Sequence, residues 1–181
     1  MIITVFGGSG LLESQPAYQD ARELGFALGK AGHSLLTGGY VGVMEAVSLG
    51  GHEAGAHVIG ATCAEIERSH LERKPNPYLD EEWRTQTLAE RLAILVDRCD
   101  LAIAMPGGVG TLVEITYMWN ELIIAAISPK PLIMVGSAWQ KTFAEFFEQS
   151  ESYIPSLEHG HLTFTPDVPS ALEFINAIPS N

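Results

Sequence analysis

The residues best suited to chemistry lie in one run, Met105-Pro106-Gly107-Gly108-Val109-Gly110-Thr111-Leu112-Val113-Glu114. Its glycines let the backbone press close to a ligand. An apolar stretch precedes it and an amphipathic one follows, so it reads as a turn from a strand into a helix. The free N–H groups and positive end of such a helix attract phosphate. Thr111 adds a hydroxyl that can face the ligand or cap the helix. Glu114 adds a carboxylate one turn further on. The bland alternative is a strand–helix turn with a capping threonine and a carboxylate favoured by the helix dipole.

Two more glycine turns follow apolar runs: Gly7-Gly8-Ser9-Gly10 after Ile2–Phe6, and Gly38-Gly39 after Ser34–Thr37. Neither these nor the first run reads GxGxxG or GxxxxGK[ST], and the four lysines (Lys30, Lys74, Lys130 and Lys141) stand away from the glycine turns. That argues against a kinase, an ATPase or an NAD enzyme of the usual type. A lysine-bound pyridoxal phosphate has no fitting lysine either. His159-Gly160-His161 is too closely spaced for a common zinc pair, and Cys63 and Cys99 form no metal-binding spacing, so no metal site is expected.

The elements that must position these turns alternate in type. Apolar strands are expected at 2–6, 34–37, 57–61, 101–105, 131–135 and 162–165. Between them run amphipathic helices from Pro16 to a cap at Gly32, from 42 to 54, from 81 to 98, from Thr111 to about Ala126, from 138 to 149 and from 169 to 177. In the 81–98 helix, Leu88, Leu92, Leu95 and Val96 form the expected core side. The polar stretch from Cys63 to Asp80, with Pro75, Asn76 and Pro77, reads as a long loop of the kind that often carries function. Strands alternating with helices imply an α/β, Rossmann-like, doubly wound parallel sheet with helices on both faces. All three glycine turns then line the carboxyl edge, where such sheets bind ligands.

Bulk composition narrows the function. The chain has 181 residues, a length suited to a single nucleotide-binding domain over 1–181. Its net charge of −12 repels a phosphodiester backbone, so no nucleic-acid partner is expected. No apolar run nears the length of a membrane helix; the longest, Leu122 to Ile127, has six residues. The start of the chain lacks the basic and apolar regions of a signal peptide. With two unpaired cysteines, this points to a reducing, cytoplasmic location.

The motif residues resemble a known family. Pro106-Gly107-Gly108-x-Gly110-Thr111-x-x-Glu114 is similar to the PGGxGTxxE signature of the LOG (LONELY GUY) family. Val5-Phe6-Gly7-Gly8-Ser9 resembles its first loop, Gly38-Gly39-Tyr40-Val41-Gly42-Val43-Met44 its GGGxxGLM turn, and Leu88-Ala89-Glu90-Arg91 its arginine segment. The resemblance implies a phosphoribohydrolase that splits a nucleoside 5′-monophosphate into free base and ribose 5-phosphate. It also implies no cofactor and no metal, and a homodimer or larger homo-oligomer whose subunits help complete the site. Glu114 and Arg91 become the catalytic pair. Pro106, Gly107, Gly108, Gly110 and Thr111 become the phosphate cradle, and Gly8, Ser9, Gly39 and Gly42 the rest of the nucleotide pocket. The apolar character of 114–127 on more than one side fits a helix that also meets a second subunit.

The chain departs from the family pattern at several places. Its MHxRKA segment reads Leu88-Ala89-Glu90-Arg91-Leu92-Ala93, Tyr40 replaces the third glycine, Glu45 replaces a glycine, and Val113 replaces a glutamate. These changes bear on which base is read. Tyr40, Asn76, Tyr78 and Arg84 are candidates for reading it, and Glu45 is a candidate second carboxylate. The competing function is a non-catalytic nucleotide or molybdenum-cofactor carrier of the same fold. A DNA-handling protein of this fold is disfavoured by the charge.

Overall fold

The computed structural model describes residues 1–70 and 73–178. Seven strands form one sheet: β1 (Ile2–Phe6), β2 (Ser34–Thr37), β3 (Val58–Cys63), β4 (Glu81–Thr85), β5 (Leu101–Ala104), β6 (Leu132–Val135) and β7 (Leu162–Thr165). Every pairing is parallel, and the order is β4-β3-β2-β1-β5-β6-β7. Among the described residues eight helices accompany them: α1 (Pro16–Lys30), α2 (Val43–Ala54), α3 (Ala64–Ser69), α4 (Leu88–Asp97), α5 (Val109–Ile123), α6 (Ser137–Gln149), α7 (Ser156–His159) and α8 (Val168–Asn176). The expected α/β class therefore holds.

The sheet forms because its inner strands are apolar on both faces, as helices on both sides demand. Ile3 and Val5 of β1 pack with Leu101, Ile103 and Ile133 under α1, α2 and α8. Phe6 points the other way, into a layer with Leu36, Leu95, Ile115, Trp119 and Phe143. Each fully buried Leu, Ile or Phe contributes about 1.5–3 kcal/mol. Gly32 closes α1 as read from the sequence: it takes φ +81°, and His33 N donates to Leu28 O at 3.1 Å.

The segment 81–98 corrects the sequence reading. It is not one helix but β4, a short bend and α4. Glu81, Glu82 and Arg84 are exposed on β4, the outermost strand, which pairs only with β3. An edge strand with charged residues carries no apolar alternation, so periodicity does not reveal it. The sequence did contain the true helix start: Thr87 accepts from Glu90 N, and the Glu90 side chain returns to the Thr87 N–H, a capping box. Other boundaries also move. Cys63 ends β3 and is buried rather than lying in a loop, and α3 occupies part of the expected loop, of which 71–72 lie outside the described residues.

The chain order places β1 between β2 and β5, so the connections leave these two strands in opposite directions. This is the switch point at which α/β sheets open a crevice. The turns after β1 and β5 meet there: Gly8 N donates to Pro106 O at 3.1 Å.

Candidate active site

The crevice is a cleft of about 530 Å3. One wall is the β1 turn, Gly7 to Gly10. The opposite wall is the start of α5, with Gly108, Val109, Gly110 and Thr111. Met44, Ile66, Leu88, Leu92 and Val113 give an apolar side, and Tyr40, Arg73, Arg91 and Glu114 complete the lining.

Two local features shape the backbone here. Gly42 takes φ +74°, and a Cβ on it would lie 2.5 Å from Gly8 O. Only glycine lets α2 start against the β1 turn, where Val43 N donates to Gly8 O at 2.9 Å. At the other wall α5 begins on Gly108 with no side-chain cap. Thr111 is not the cap, contrary to one sequence option, because it sits inside the first turn and α5 starts at Val109. The first-turn amides of a 15-residue helix therefore meet the cleft without a side-chain partner.

Arg91 and Glu114 come from α4 and α5. Arg91 is only 5% exposed, unlike the usual solvent-facing helix arginine. Its Nε donates to Ala61 O at 2.7 Å and its Nη2 to Gly38 O at 3.2 Å. A side chain on Gly38 would collide with the guanidinium, so that glycine makes room for the arginine. Arg91 Nη1 lies 3.5 Å from Glu114 Oε1. Glu114 is 9% exposed, and burial pushes its carboxyl up to about 7 against the opposing pull of Arg91. A carboxyl near neutral pH, paired to a fixed arginine and facing a cleft, is able to hold or release a proton and to face a developing cation.

The sequence-predicted residues separate into two sets. Gly8, Ser9, Gly108, Gly110, Thr111, Arg91 and Glu114 line the cleft together. Gly39, Gly42, Pro106 and Gly107 stand behind it and build the turns. Leu88 and Leu92, expected in the core, instead form part of the cleft wall; Leu88 is 42% exposed.

The candidate base readers fare differently. The Tyr40 ring lines the cleft, but its hydroxyl accepts from Cys63 N at 2.7 Å and donates to Cys63 O at 3.2 Å. Asn76 is buried; its Nδ2 donates to Tyr40 O and its own N–H to Gly39 O. Arg84 pairs with Glu67 and Glu82 on the sheet edge. Tyr78 lies near His52, and Glu45 is outside the lining. Sequence reasoning missed Arg73. It reaches in from the segment after α3, and its Nη2 lies 3.4 Å from Ser9 Oγ. The signal available was the long polar segment itself. Among the described residues no group of His, Cys, Asp or Glu is arranged to hold a metal ion.

A family model described as the SLOG cluster4 family matches residues 1–159. The chain is 34% identical over 117 residues to the cytokinin riboside 5′-monophosphate phosphoribohydrolase of Mycobacterium tuberculosis (strain ATCC 25618 / H37Rv), covering 64% of this chain and 60% of that protein. It is 32% identical over 141 residues to the cytokinin riboside 5′-monophosphate phosphoribohydrolase LOG of Oryza sativa subsp. japonica, covering 75% of this chain and 56% of that protein. The chain thus spans less than two thirds of the length of these curated relatives. A solved structure, the molybdenum cofactor binding protein from the phototrophic bacterium Rippkaea orientalis, superposes with a TM-score of 0.73 at 26% identity. That likeness covers 97% of this chain and 95% of the other.

Proposed function

This chain belongs to the SLOG cluster4 family, and we propose that it hydrolyses the N-glycosidic bond of a nucleoside 5′-monophosphate, giving free base and ribose 5-phosphate. One observation carries the reading: the buried Arg91–Glu114 pair opens into the same cleft as the uncapped start of α5. The 5′-phosphate takes the amides of Gly108 to Thr111, with Gly8 and Ser9 opposite. That places the sugar over Glu114. Departure of the base builds positive charge on the ribose, as in glycoside cleavage. The ionised Glu114 faces that charge and orients the attacking water. Arg91, anchored on the carbonyls of Ala61 and Gly38, holds Glu114 in place and supplies donors to ribose hydroxyls. The relatives named as phosphoribohydrolases support the reaction class.

The remaining expectations follow the same reading. The described residues act as one nucleotide-binding domain, without cofactor or metal, in the cytoplasm. No helix among them is long and apolar enough to cross a membrane. Val109, Leu112, Val113 and Ile124 of α5 and its end are exposed, as is Leu88 of α4, beside the cleft mouth. A second copy covering this face gives the homo-oligomer.

A second reading has its own support. The molybdenum cofactor binding protein superposes over 97% of this chain and 95% of its own length. Under it the chain binds a phosphate-bearing ligand without consuming it. Purified protein incubated with a panel of nucleoside 5′-monophosphates, with chromatography for free base, decides between the two. Released base that disappears in Glu114→Gln supports the hydrolase. Calorimetric binding of a nucleotide or a pterin phosphate with no base released supports the carrier.

A further inference from the structure

A phosphate monoester brings about −1.5 to −2 charges at neutral pH. Helix-start amides supply only partial charge, and this chain carries −12 overall. A cation in the cleft would balance the remaining charge, and among the described residues two arginines line it, Arg73 and Arg91.

Arg91 is not the one to meet the phosphate. Its guanidinium is tied to Ala61 O, Gly38 O and Glu114, and it is buried among them. To turn toward the α5 start it would abandon two carbonyls and leave Glu114 unpaired. Arg73 is in the opposite condition. It is half-buried, and among the described residues its side chain makes one long hydrogen bond, to a neutral hydroxyl, Ser9 Oγ, in the β1 turn. A guanidinium offers five donors in a fork that matches phosphate oxygens.

Its backbone is held on both sides. Arg73 N donates to His70 O at 2.8 Å, and three residues later Asn76 N donates to Gly39 O at 2.8 Å. The Asn76 side chain locks onto Tyr40 O and Ser48 Oγ. A long flexible side chain thus projects over the β1 turn from an anchored base.

We propose that Arg73 is the phosphate-engaging cation of this cleft, and that its contact with Ser9 is its resting place when no ligand is bound. In the bound state the guanidinium leaves Ser9 Oγ for two phosphate oxygens, closing the cleft from the side opposite α5. Arg73 then selects 5′-monophosphates over uncharged nucleosides, while Arg91 and Glu114 act at the sugar. The role of Arg73 deepens the nucleotide reading but needs only that the cleft bind a sugar phosphate.

The test is calorimetry with ribose 5-phosphate on the intact protein and on Arg73→Ala, Arg73→Lys and Arg68→Ala. Arg68 borders an adjoining hollow with Arg73 and serves as a control for loss of one positive charge nearby. Arg73→Ala is expected to weaken ribose 5-phosphate by about 10- to 100-fold, the loss of a charge-assisted pair. Arg73→Lys recovers part of it, Arg68→Ala stays within about two-fold, and the salt dependence of binding falls in Arg73→Ala alone. Thermal melting checks that each variant is folded. Where base release is measurable, KM for the monophosphate rises in Arg73→Ala while kcat changes little.

Unchanged affinity in Arg73→Ala overturns the proposal. So does an equal loss in Arg68→Ala, which would mean a diffuse field, and so does absence of ribose 5-phosphate binding to the parent protein. Arg73-dependent binding without base release leaves the proposal standing and removes only the hydrolase reading.

Discussion

Two helices enter the cleft from the same edge of the sheet, and their starts are built in opposite ways. At α4 the protein satisfies its own backbone. Thr87 Oγ1 accepts from Glu90 N at 3.2 Å, Glu65 Oε2 from Leu88 N at 2.8 Å, and Glu90 Oε2 from both Gln86 N and Thr87 N. Those amides hold the Glu90 carboxyl below its ordinary value. At α5 no side chain caps the helix, and the nearby carboxylate, Glu114, is pushed up to about 7 by burial. The closed start fixes Arg91 one turn later. The open start leaves amides for a ligand. On the proposed reading, the helix end finished by its own side chains is scaffold, and the one left uncapped beside the buried Glu114 is the ligand site.

The largest test of that division concerns the residues at the junction of the two helices. Glu114→Gln and Arg91→Ala are each expected to lower turnover by about 10²- to 10⁴-fold, the range for a lost acid–base group. Their effects on folding differ in sign. Glu114→Gln removes a buried charge and holds or raises the melting temperature. Arg91→Ala strands Glu114, Ala61 O and Gly38 O and lowers it. Turnover persisting in both variants removes α5 from the chemistry.

Protonation sharpens the same contrast. The folded value for Glu114, about 7, lies above its ordinary 4.5. Between those pH values the folded protein keeps a proton that the unfolded chain has released. Stability therefore falls as pH rises through that window, and the loss is complete above about 7. It amounts to at most about 3 kcal/mol. Denaturation of the parent and of Glu114→Gln across pH 4–8 isolates it, because the difference between the two curves carries this group. For turnover, kcat/KM is expected to rise with pH to a midpoint near 7, since the carboxylate is the working form. A difference curve without slope breaks the assignment of Glu114 as the strained group.

Closing the open helix is the third test. A Cβ on Gly108 meets nothing within 4 Å, and its backbone is extended as a cap residue requires. Gly108→Asp supplies the missing side-chain cap and adds about a few tenths of a kcal/mol of stability, since glycine is itself a tolerated cap. It also places a negative charge where phosphate belongs, so ribose 5-phosphate is expected to weaken by at least about 30-fold. A more stable protein with intact phosphate binding would mean that the α5 start is not a ligand site.

The sequence made the open half legible and hid much of the closed half. Three glycine turns after apolar strands located the cleft, because a turn that must approach a ligand shows itself in residue type. Six of the seven strands were readable: the five inner ones are mostly apolar, and the edge strand β7 still alternates Leu162 and Phe164 with threonines. β4 was not, since an edge strand is held by backbone hydrogen bonds to one neighbour and its side chains are free to be charged. The burial of Arg91 was invisible for a related reason. Its partners are the carbonyls of Ala61 and Gly38, and backbone acceptors carry no signature in residue type. Asn76 and Arg73, three positions apart in one polar segment, read alike in sequence. Only tertiary contacts show one as a buried lock and the other as a cleft residue.

The smallest expected effect falls on the closed helix. Thr87→Ala removes the cap of α4 and leaves Glu90 N without its side-chain acceptor, at a cost of about 1 kcal/mol. Arg91 N also bonds Thr87 O, a backbone group that the substitution leaves in place, and the guanidinium keeps its two carbonyls. Arg91 should therefore stay where it is. Melting temperature is expected to fall by a few degrees, with kcat within about three-fold of the parent and KM unchanged. Thr87→Ser, which restores the hydroxyl, returns the melting temperature. A large drop in kcat, with the loss of stability no greater than this, would show that the α4 start acts on the chemistry directly and that the two helix ends are not divided as their caps indicate.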